Sequence, residues 1–443
     1  MSDAAEPPTA KASTPLWRQR KVVSLLAIAL LAELAYGVLN ISAMPVYLKY
    51  DRGFPEGTIG LIIVAFLLSE AVFKTPMGAL ADRFGRKRLI VIGPIITIFT
   101  ALATLAVPHD IGDLEPVIFF GLRALDGIAV AMLWPAAFAL VGETVRDDQK
   151  QEAMSMLNMC YLVGLALALP IGGLVNDLIG PSLADSTGPR SPSLYLAALI
   201  CLGVAVAAYV VLPSGRDIRQ KVRQAKQRRS SPREEFRKML ATARSIPGYM
   251  LVGGLTFMGI GFPLAIVKIF AEDQFKMSET QFGMLVFPAV IAMALFAVPM
   301  GRFGERIGRH KAVHVGLAMC GAGMAFISIG AIAPAMRTWY VFAIGGVPIG
   351  IGFLLTIPAW YASVSELSEE RRASNIGAVM TAQGLGAIVG TFLGSQAYQR
   401  LQGITHFAGM QVDRSFGLYS PFVGCAICVI AGWAFSIRIL RAE

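Results

Sequence analysis

Apolar residues fall in long runs separated by short polar stretches, and the runs recur along the whole chain. Twelve lie at roughly 22–47, 57–79, 89–107, 117–141, 152–175, 193–213, 248–270, 280–300, 311–332, 338–364, 373–397 and 417–438. A helix of that length crosses ~30 Å of hydrocarbon. Inside lipid every backbone N–H and C=O needs an internal partner, which leaves helices as the reading for such runs. The first run is too long for a cleaved signal, and no small-residue cleavage site follows it before the next polar loop.

Composition agrees with this pattern. Of 443 residues, 55% are apolar and 15% charged, against roughly a quarter charged in ordinary globular chains. A soluble protein so poor in charge could not cover its surface. The net charge of +10 suggests nucleic acid, but its placement argues otherwise. With the N-terminus inside, 29 of the 39 Lys and Arg lie in inside segments and seven outside, while Lys74, Arg123 and Lys268 lie within helices or at their ends. That distribution places both termini in the cytoplasm, so the basic surplus is an orientation signal and no nucleic-acid partner is expected. Cys160, Cys201, Cys320, Cys425 and Cys428 all sit in apolar runs and read as small apolar residues. The four histidines are scattered, so neither a disulfide framework nor a metal site is expected.

One internal offset, 223 residues, relates the two halves of the chain. It carries Glu56 and Gly60 onto Glu279 and Gly283, Pro76-Met77-Gly78 onto Pro299-Met300-Gly301, and Gly127, Pro135 and Glu143 onto Gly350, Pro358 and Glu366. Asp82-Arg83, Gly85 and Arg86 fall on Glu305-Arg306, Gly308 and Arg309. Six spans per half by parallel duplication is an arrangement of secondary transporters. Gly78-Ala-Leu-Ala-Asp82-Arg83-Phe-Gly85-Arg86-Lys-Arg resembles the signature between the second and third spans of the major facilitator superfamily. The second copy, from Gly301 to Lys311, falls between spans eight and nine, where that family repeats it. The resemblance covers residues 20–440 and implies an all-α membrane protein of two six-helix bundles.

The motif also has a physical reading. Gly78 and Gly301 end a helix where another backbone must come close, and Gly85 and Gly308 allow a tight turn. Arg86, with Lys87 and Arg88, sits where anionic headgroups and positive-inside insertion favour cations. Asp82 is an acid in a basic loop; it can pair with Arg83 or Arg86, or face the positive end of a nearby helix. The resemblance implies a gate latch between the halves. The alternative is a topology determinant without a gating role.

The chain divides into a disordered start at 1–16, a first half at 17–213, a basic linker at 214–246, a second half at 247–438 and a tail at 439–443. In the linker, Ser231, Pro232 and Glu234 punctuate a helix start, and Phe236, Met239, Leu240 and Ala243 give one apolar face. An amphipathic helix lying on the inner membrane surface is expected.

Charges within the bilayer are costly and mark candidate sites. The first span carries Glu33, with Tyr36 and Asn40 following at helical spacing on one face. The second carries Glu70, and Lys74 four residues on in the favourable order for an ion pair. The fourth carries Arg123 and Asp126, with Trp134 beyond on a similar face. Arg123-Ala-Leu-Asp126-Gly127 resembles the family's Arg-x-x-Gln-Gly signature, whose arginine is associated with proton coupling; here Asp126 holds the Gln position. At the 223-residue offset Glu33, Glu70, Lys74, Arg123 and Asp126 meet Thr256, Met293, Ala297, Gly346 and Ile349. Coupling or charge recognition is therefore expected in the first half. Asn158, Tyr161, Thr356, Trp360 and Gln383 are candidate cavity residues or ordinary packing residues. Gly164 to Gly173 partly resembles an exporter signature, with Leu169 in place of the glycine before Pro170 and one residue missing after it.

The expected function is proton-coupled export of a small apolar or amphipathic compound by a monomer in the cytoplasmic (inner) membrane, in contact with its lipids. Glu33 and Glu70 are the candidate proton carriers, because low dielectric favours a neutral carboxyl. Lys74 and Arg123 would tune them or bind an anionic group. Uptake of a small anion, lipid translocation, and a non-transporting receptor or scaffold are the alternatives. No Walker loop, nucleophile–base arrangement or cofactor motif stands out, so neither an enzyme nor a cofactor is expected.

Overall fold

The computed structural model describes residues 15–109, 111–146, 149–184, 191–212, 244–367, 372–404, 406–407 and 410–440. Among the described residues twelve helices are long and apolar enough to span a membrane. They are α1 (Arg20–Asp51), α2 (Glu56–Phe84), α3 (Arg86–Ala106), α4 (Leu114–Thr144), α5 (Lys150–Ala184) and α6 (Ser193–Val211). The second set is α7 (Pro247–Leu264), α8 (Glu279–Ile307), α9 (Arg309–Ser328), α10 (Trp339–Glu366), α11 (Arg372–Leu401) and α12 (Arg414–Ile439). The seventh run, expected to continue to 270, breaks after Pro263: α7 ends at Leu264 and a separate short helix spans Val267–Phe275. Among the described residues the only strands are His406–Phe407 and Met410–Gln411, a two-residue antiparallel pair. The linker helix proposed from Ser231 to Ala243 lies outside the described residues.

Packing repeats with the sequence. In the first half α1 lies on α5 and α6, α2 on α4, and α3 on α4 and α6; in the second, α7 lies on α11 and α12, α8 on α10, and α9 on α10 and α12. Small residues allow this at equivalent places. A Cβ on Gly93 of α3 would stand 2.7 Å from the Ala129 carbonyl, and one on its repeat mate Gly316 would stand 2.6 Å from that of Gly352. Two turns repeat as well. Helices α2 and α8 end at Gly85 and Gly308, with φ of 99° and 91°, a region that favours glycine.

The halves meet through α5 against α8 and α2 against α11. We call the side where α1 begins the terminal face and the other the far face. The apolar core is continuous across both halves towards the far face, where Leu39, Ile59 and Phe119 share one cluster with Phe270, Tyr398 and Phe422. Towards the terminal face it splits into two clusters, one per half. The bundle is thus joined at the far face and separated at the terminal face. The expectation that Gly78 and Gly301 end their helices is not met. Gly78 and Gly301 lie inside α2 and α8, not at their ends. A Cβ on Gly78 would reach only Pro135 of its own half, at 3.6 Å, and one on Gly301 would meet nothing within 4 Å.

Candidate functional site

Away from the far face, where Arg52 pairs with Glu115 at 2.8 Å and Lys49 with Glu56 at 2.5 Å, the buried charges of the first half sort into two groups. The inner group is a closed ion pair. Asp126 is 0% and Arg123 1% exposed, and Arg123 Nη1 donates to Asp126 Oδ2 at 3.2 Å. The other carboxylate oxygen accepts from Thr97 Oγ1 at 2.8 Å and Thr100 Oγ1 at 3.1 Å, both on α3. Asn40 joins from α1, donating to Asp126 at 3.3 Å and accepting from Arg123 at 3.2 Å. A buried carboxylate with four donors and its own counter-charge is in the arrangement such a group needs. The departure at Asp126 from the family signature therefore has a structural consequence: it neutralises Arg123 inside the half.

The outer group contains Glu33, buried on α1. A Cβ on Gly164 of α5 would stand 2.9 Å from Glu33 Cβ, so the two helices touch here. Tyr161 and Trp134 are the polar side chains facing its carboxyl, and Glu70 and Lys74 are the charges near enough to act on it. The Trp134 and Tyr161 rings pack edge to face at 5.1 Å. Glu70 itself is bound to Lys74 at 2.7 Å, and the Lys74 side chain is 50% exposed. Tyr36, also buried, has a hydroxyl with no hydrogen-bond partner among the described residues. Spacing placed Glu33, Tyr36 and Asn40 on one face. In the structure the last of them, Asn40, lies in a π-helical segment over Val38–Ala43 and turns to the inner ion pair. Asn40 therefore serves the Arg123–Asp126 pair and Glu33 does not.

The second half has no charge at the corresponding place. Trp360 and Thr356 are buried on α10, Gln383 on α11 accepts from Tyr361 Oη at 2.7 Å, and Trp360 stacks on Tyr249 at 5.3 Å. Asn158 on α5 is exposed and stands outside both charge groups. At the terminal face Arg86 pairs with Glu143 at 2.5 Å within its own half, and Arg83 lies 5.5 Å from the Phe84 ring. Glu305 and Arg306 end α8 exposed at this face, and Arg309 opens α9. The Asp82 side chain lies outside what is described.

One feature escaped the sequence reading. Lys268, buried in the short helix after α7, donates to Ser42 O at 2.6 Å, Ser42 Oγ at 2.9 Å and the Glu279 carboxylate. Glu279 also accepts from Asn176 Nδ2 at 3.1 and 3.0 Å, and Asp177 accepts from Thr280 N at 2.9 Å. On the other seam Gly57 N donates to Gln399 Oε1 at 2.9 Å, and Gln396 Nε2 donates to Gly57 O at 3.2 Å. These bonds tie the halves at the far face. Two signals pointed there: a lysine at the end of an apolar run, and a glutamate that repeats Glu56. Beside this latch a cavity of about 210 Å³ opens between the halves, lined by Ile41, Pro45, Leu169, Phe282, Val286 and Phe342 with Lys268 in its wall.

The sequence matches the Major Facilitator Superfamily over residues 25–264 and 249–440. Multidrug resistance protein 2 of Bacillus subtilis (strain 168) is 23% identical over 380 residues, 84% of this chain and 87% of that protein. Quinolone resistance protein NorA of Staphylococcus aureus (strain MRSA252) is 29% identical over 140 residues, 32% of this chain and 34% of that protein. Among solved structures, a bacterial homologue of the human lysosomal transporter Spinster, inward-facing and occupied, superposes with a TM-score of 0.73 at 15% identity, covering 97% of this chain and 98% of that one. The nucleoside transporter NupG superposes with a TM-score of 0.71 at 13% identity over 96% of this chain and 100% of its own. With two six-helix halves, their repeated glycine turn and a match that runs through both, this chain belongs to the Major Facilitator Superfamily of membrane transporters.

Proposed function

We propose that the protein is a proton-coupled exporter of small amphipathic compounds in the cytoplasmic membrane, working by alternating access with its terminal face in the cytoplasm. In that orientation the state described above is open to the inside. The observation that carries the reading is Glu33, a buried carboxyl whose facing groups are a hydroxyl and an indole. Burial in low dielectric disfavours the charged form of a carboxyl that has no cation bound to it. Glu70 has Lys74 at 2.7 Å and Asp126 has Arg123 at 3.2 Å, so each is already paired with a cation. Glu33 is therefore the proton carrier, Lys74 and Glu70 its modulators, and Arg123–Asp126 a fixed element of the first half. Export, rather than uptake, is supported by the relatives named for multidrug and quinolone resistance. Uptake of an anion is less supported, because Arg123 is enclosed by its own partners.

The test is transport in proteoliposomes under an imposed pH gradient, with a panel of amphipathic compounds that begins with a quinolone. Glu33→Gln should abolish accumulation against a gradient while leaving downhill exchange measurable. Uphill transport by Glu33→Gln at the wild-type level, with Glu70→Gln inactive, would move the carrier to α2.

A further inference from the structure

Tyr36 is a buried polar side chain that the first half leaves unpaired. It is 4% exposed, and its hydroxyl has no hydrogen-bond partner among the described residues. A buried hydroxyl without a partner gives up its hydration for nothing, so native structures keep few of them. The groups around this one are Glu33 on its own helix, Thr97 on α3, Asp126 on α4 and Cys201 on α6. Asp126 is filled: one oxygen accepts from Thr97 and Thr100 and the other from Arg123 and Asn40, which uses the lone pairs of a carboxylate. Thr97 is held on Asp126 at 2.8 Å and stays beyond hydrogen-bond distance of the tyrosine. A thiol is a weak partner.

Glu33 differs from all three. It stands three residues before Tyr36, the spacing at which side chains of one helix meet. Its carboxyl faces one hydroxyl and one indole N–H, from Tyr161 and Trp134, and has room for a further partner. The carboxyl thus has two seats. The outer one, at Tyr161 and Trp134, belongs to the terminal-face cluster of the first half and lies where the halves part. Tyr161 is only partly buried there, and the side chain of Lys74, whose charge acts on this seat, is 50% exposed. The inner seat, at the Tyr36 hydroxyl, is enclosed by Thr97, Asp126 and Cys201, each buried. A carboxylate entering it would face the like charge of Asp126, and a protonated carboxyl would not. A tyrosine hydroxyl accepts as well as donates, so it can receive the O–H of the neutral form.

We propose that Tyr36 is a positioning residue for Glu33: its hydroxyl receives the protonated carboxyl once that group swings off Tyr161 and Trp134, and so holds the proton away from the terminal-face opening. The proton stays on Glu33 throughout, and only the side chain turns. The proposal rests on the reading of Glu33 as proton carrier for its part in transport; the inner seat itself does not.

The experiment is acid-minus-alkaline infrared difference spectroscopy of the full-length protein in lipid vesicles, with no gradient. Glu33→Gln identifies the carbonyl band of protonated Glu33 by removing it. In Tyr36→Phe that band should move to higher frequency, as a carboxyl freed from a hydrogen bond does. Uphill transport of a quinolone by Tyr36→Phe should slow about tenfold, the loss of one hydrogen bond, with KM unmoved because Tyr36 touches no compound. Thermal stability should not drop, since the hydroxyl makes no bond in this state. If Tyr36→Phe does not fold, isotope-labelled tyrosine in the otherwise native chain carries the comparison: a labelled band that survives Tyr161→Phe and vanishes in Glu33→Gln belongs to Tyr36, and the lack of one counts against the inner seat. An unmoved Glu33 band in Tyr36→Phe would overturn the proposal and mean that a water alone serves the hydroxyl. So would the lack of any carbonyl band that Glu33→Gln removes, or a loss of transport matched by a loss of stability. A moved band together with wild-type uphill transport by Glu33→Gln would leave the inner seat standing and sink the carrier reading instead.

Discussion

Replacing Asp126 by asparagine tests whether Arg123 belongs to the scaffold or to the transport chemistry. The substitution keeps the shape and one carbonyl oxygen, so the bonds from Thr97 and Thr100 can persist. It removes the charge and turns an amide NH₂ towards Arg123 and Asn40, which now meet a donor where they had an acceptor. Removing one partner of a buried pair costs about 3–5 kcal/mol, because the other charge is left uncompensated. Retention of the two threonine bonds puts Asp126→Asn near the lower limit, about 3 kcal/mol. At 1.4 kcal/mol per factor of ten this is a more than hundredfold change in the unfolding equilibrium. Arg123→Gln/Asp126→Asn removes both charges and should recover at least about 1.5 kcal/mol of that loss. The assay is reversible unfolding in mixed micelles, followed by tryptophan fluorescence and extrapolated to zero denaturing detergent. An Asp126→Asn protein within about 0.5 kcal/mol of wild type, or a double variant less stable than the single one, would refute the closed-pair account.

Three further outcomes follow from the same geometry. Lys268→Met removes the bonds to Ser42 and Glu279 at the far face. Charged hydrogen bonds contribute about 1.5–3 kcal/mol each, so spin labels on the terminal ends of α5 and α8 should report a population at least tenfold richer in the state closed at that end; an unchanged distance distribution would show that the latch does not bias the states. Asp82→Asn should lower turnover more than folded yield, and Glu305→Gln should act more mildly, measured by initial transport rates normalised to folded protein; wild-type rates for Asp82→Asn would leave it a topology marker. Ser231→Cys in the linker should resist a membrane-impermeant thiol reagent applied to intact cells and react after lysis, and ready labelling from outside would reverse the proposed orientation.

Twelve spans, two repeated halves and the glycine turns followed from sequence alone, because each depends on local or periodic facts. A run of apolar residues must become a helix in lipid wherever it packs, Gly85 and Gly308 make the same turn in both copies, and a constant offset of 223 residues needs no coordinates to be seen. The first half could also be named as the charged one by reading its repeat mates. What the residues could not reveal was which charge answers which. Glu33 and Asn40 are seven apart on one helix, yet Glu33 faces Tyr161 on α5 while Asn40, in the widened turn over Val38–Ala43, bonds Asp126 on α4. Lys268 and Ser42 lie 226 residues apart and join only because the halves close at the far face. The unpaired hydroxyl of Tyr36 is invisible in sequence, since Thr97, Asp126 and Cys201 reach it from three other helices. Span and symmetry are written in order along the chain; charge partnership and the open side of the bundle depend on distances between helices, which packing alone determines.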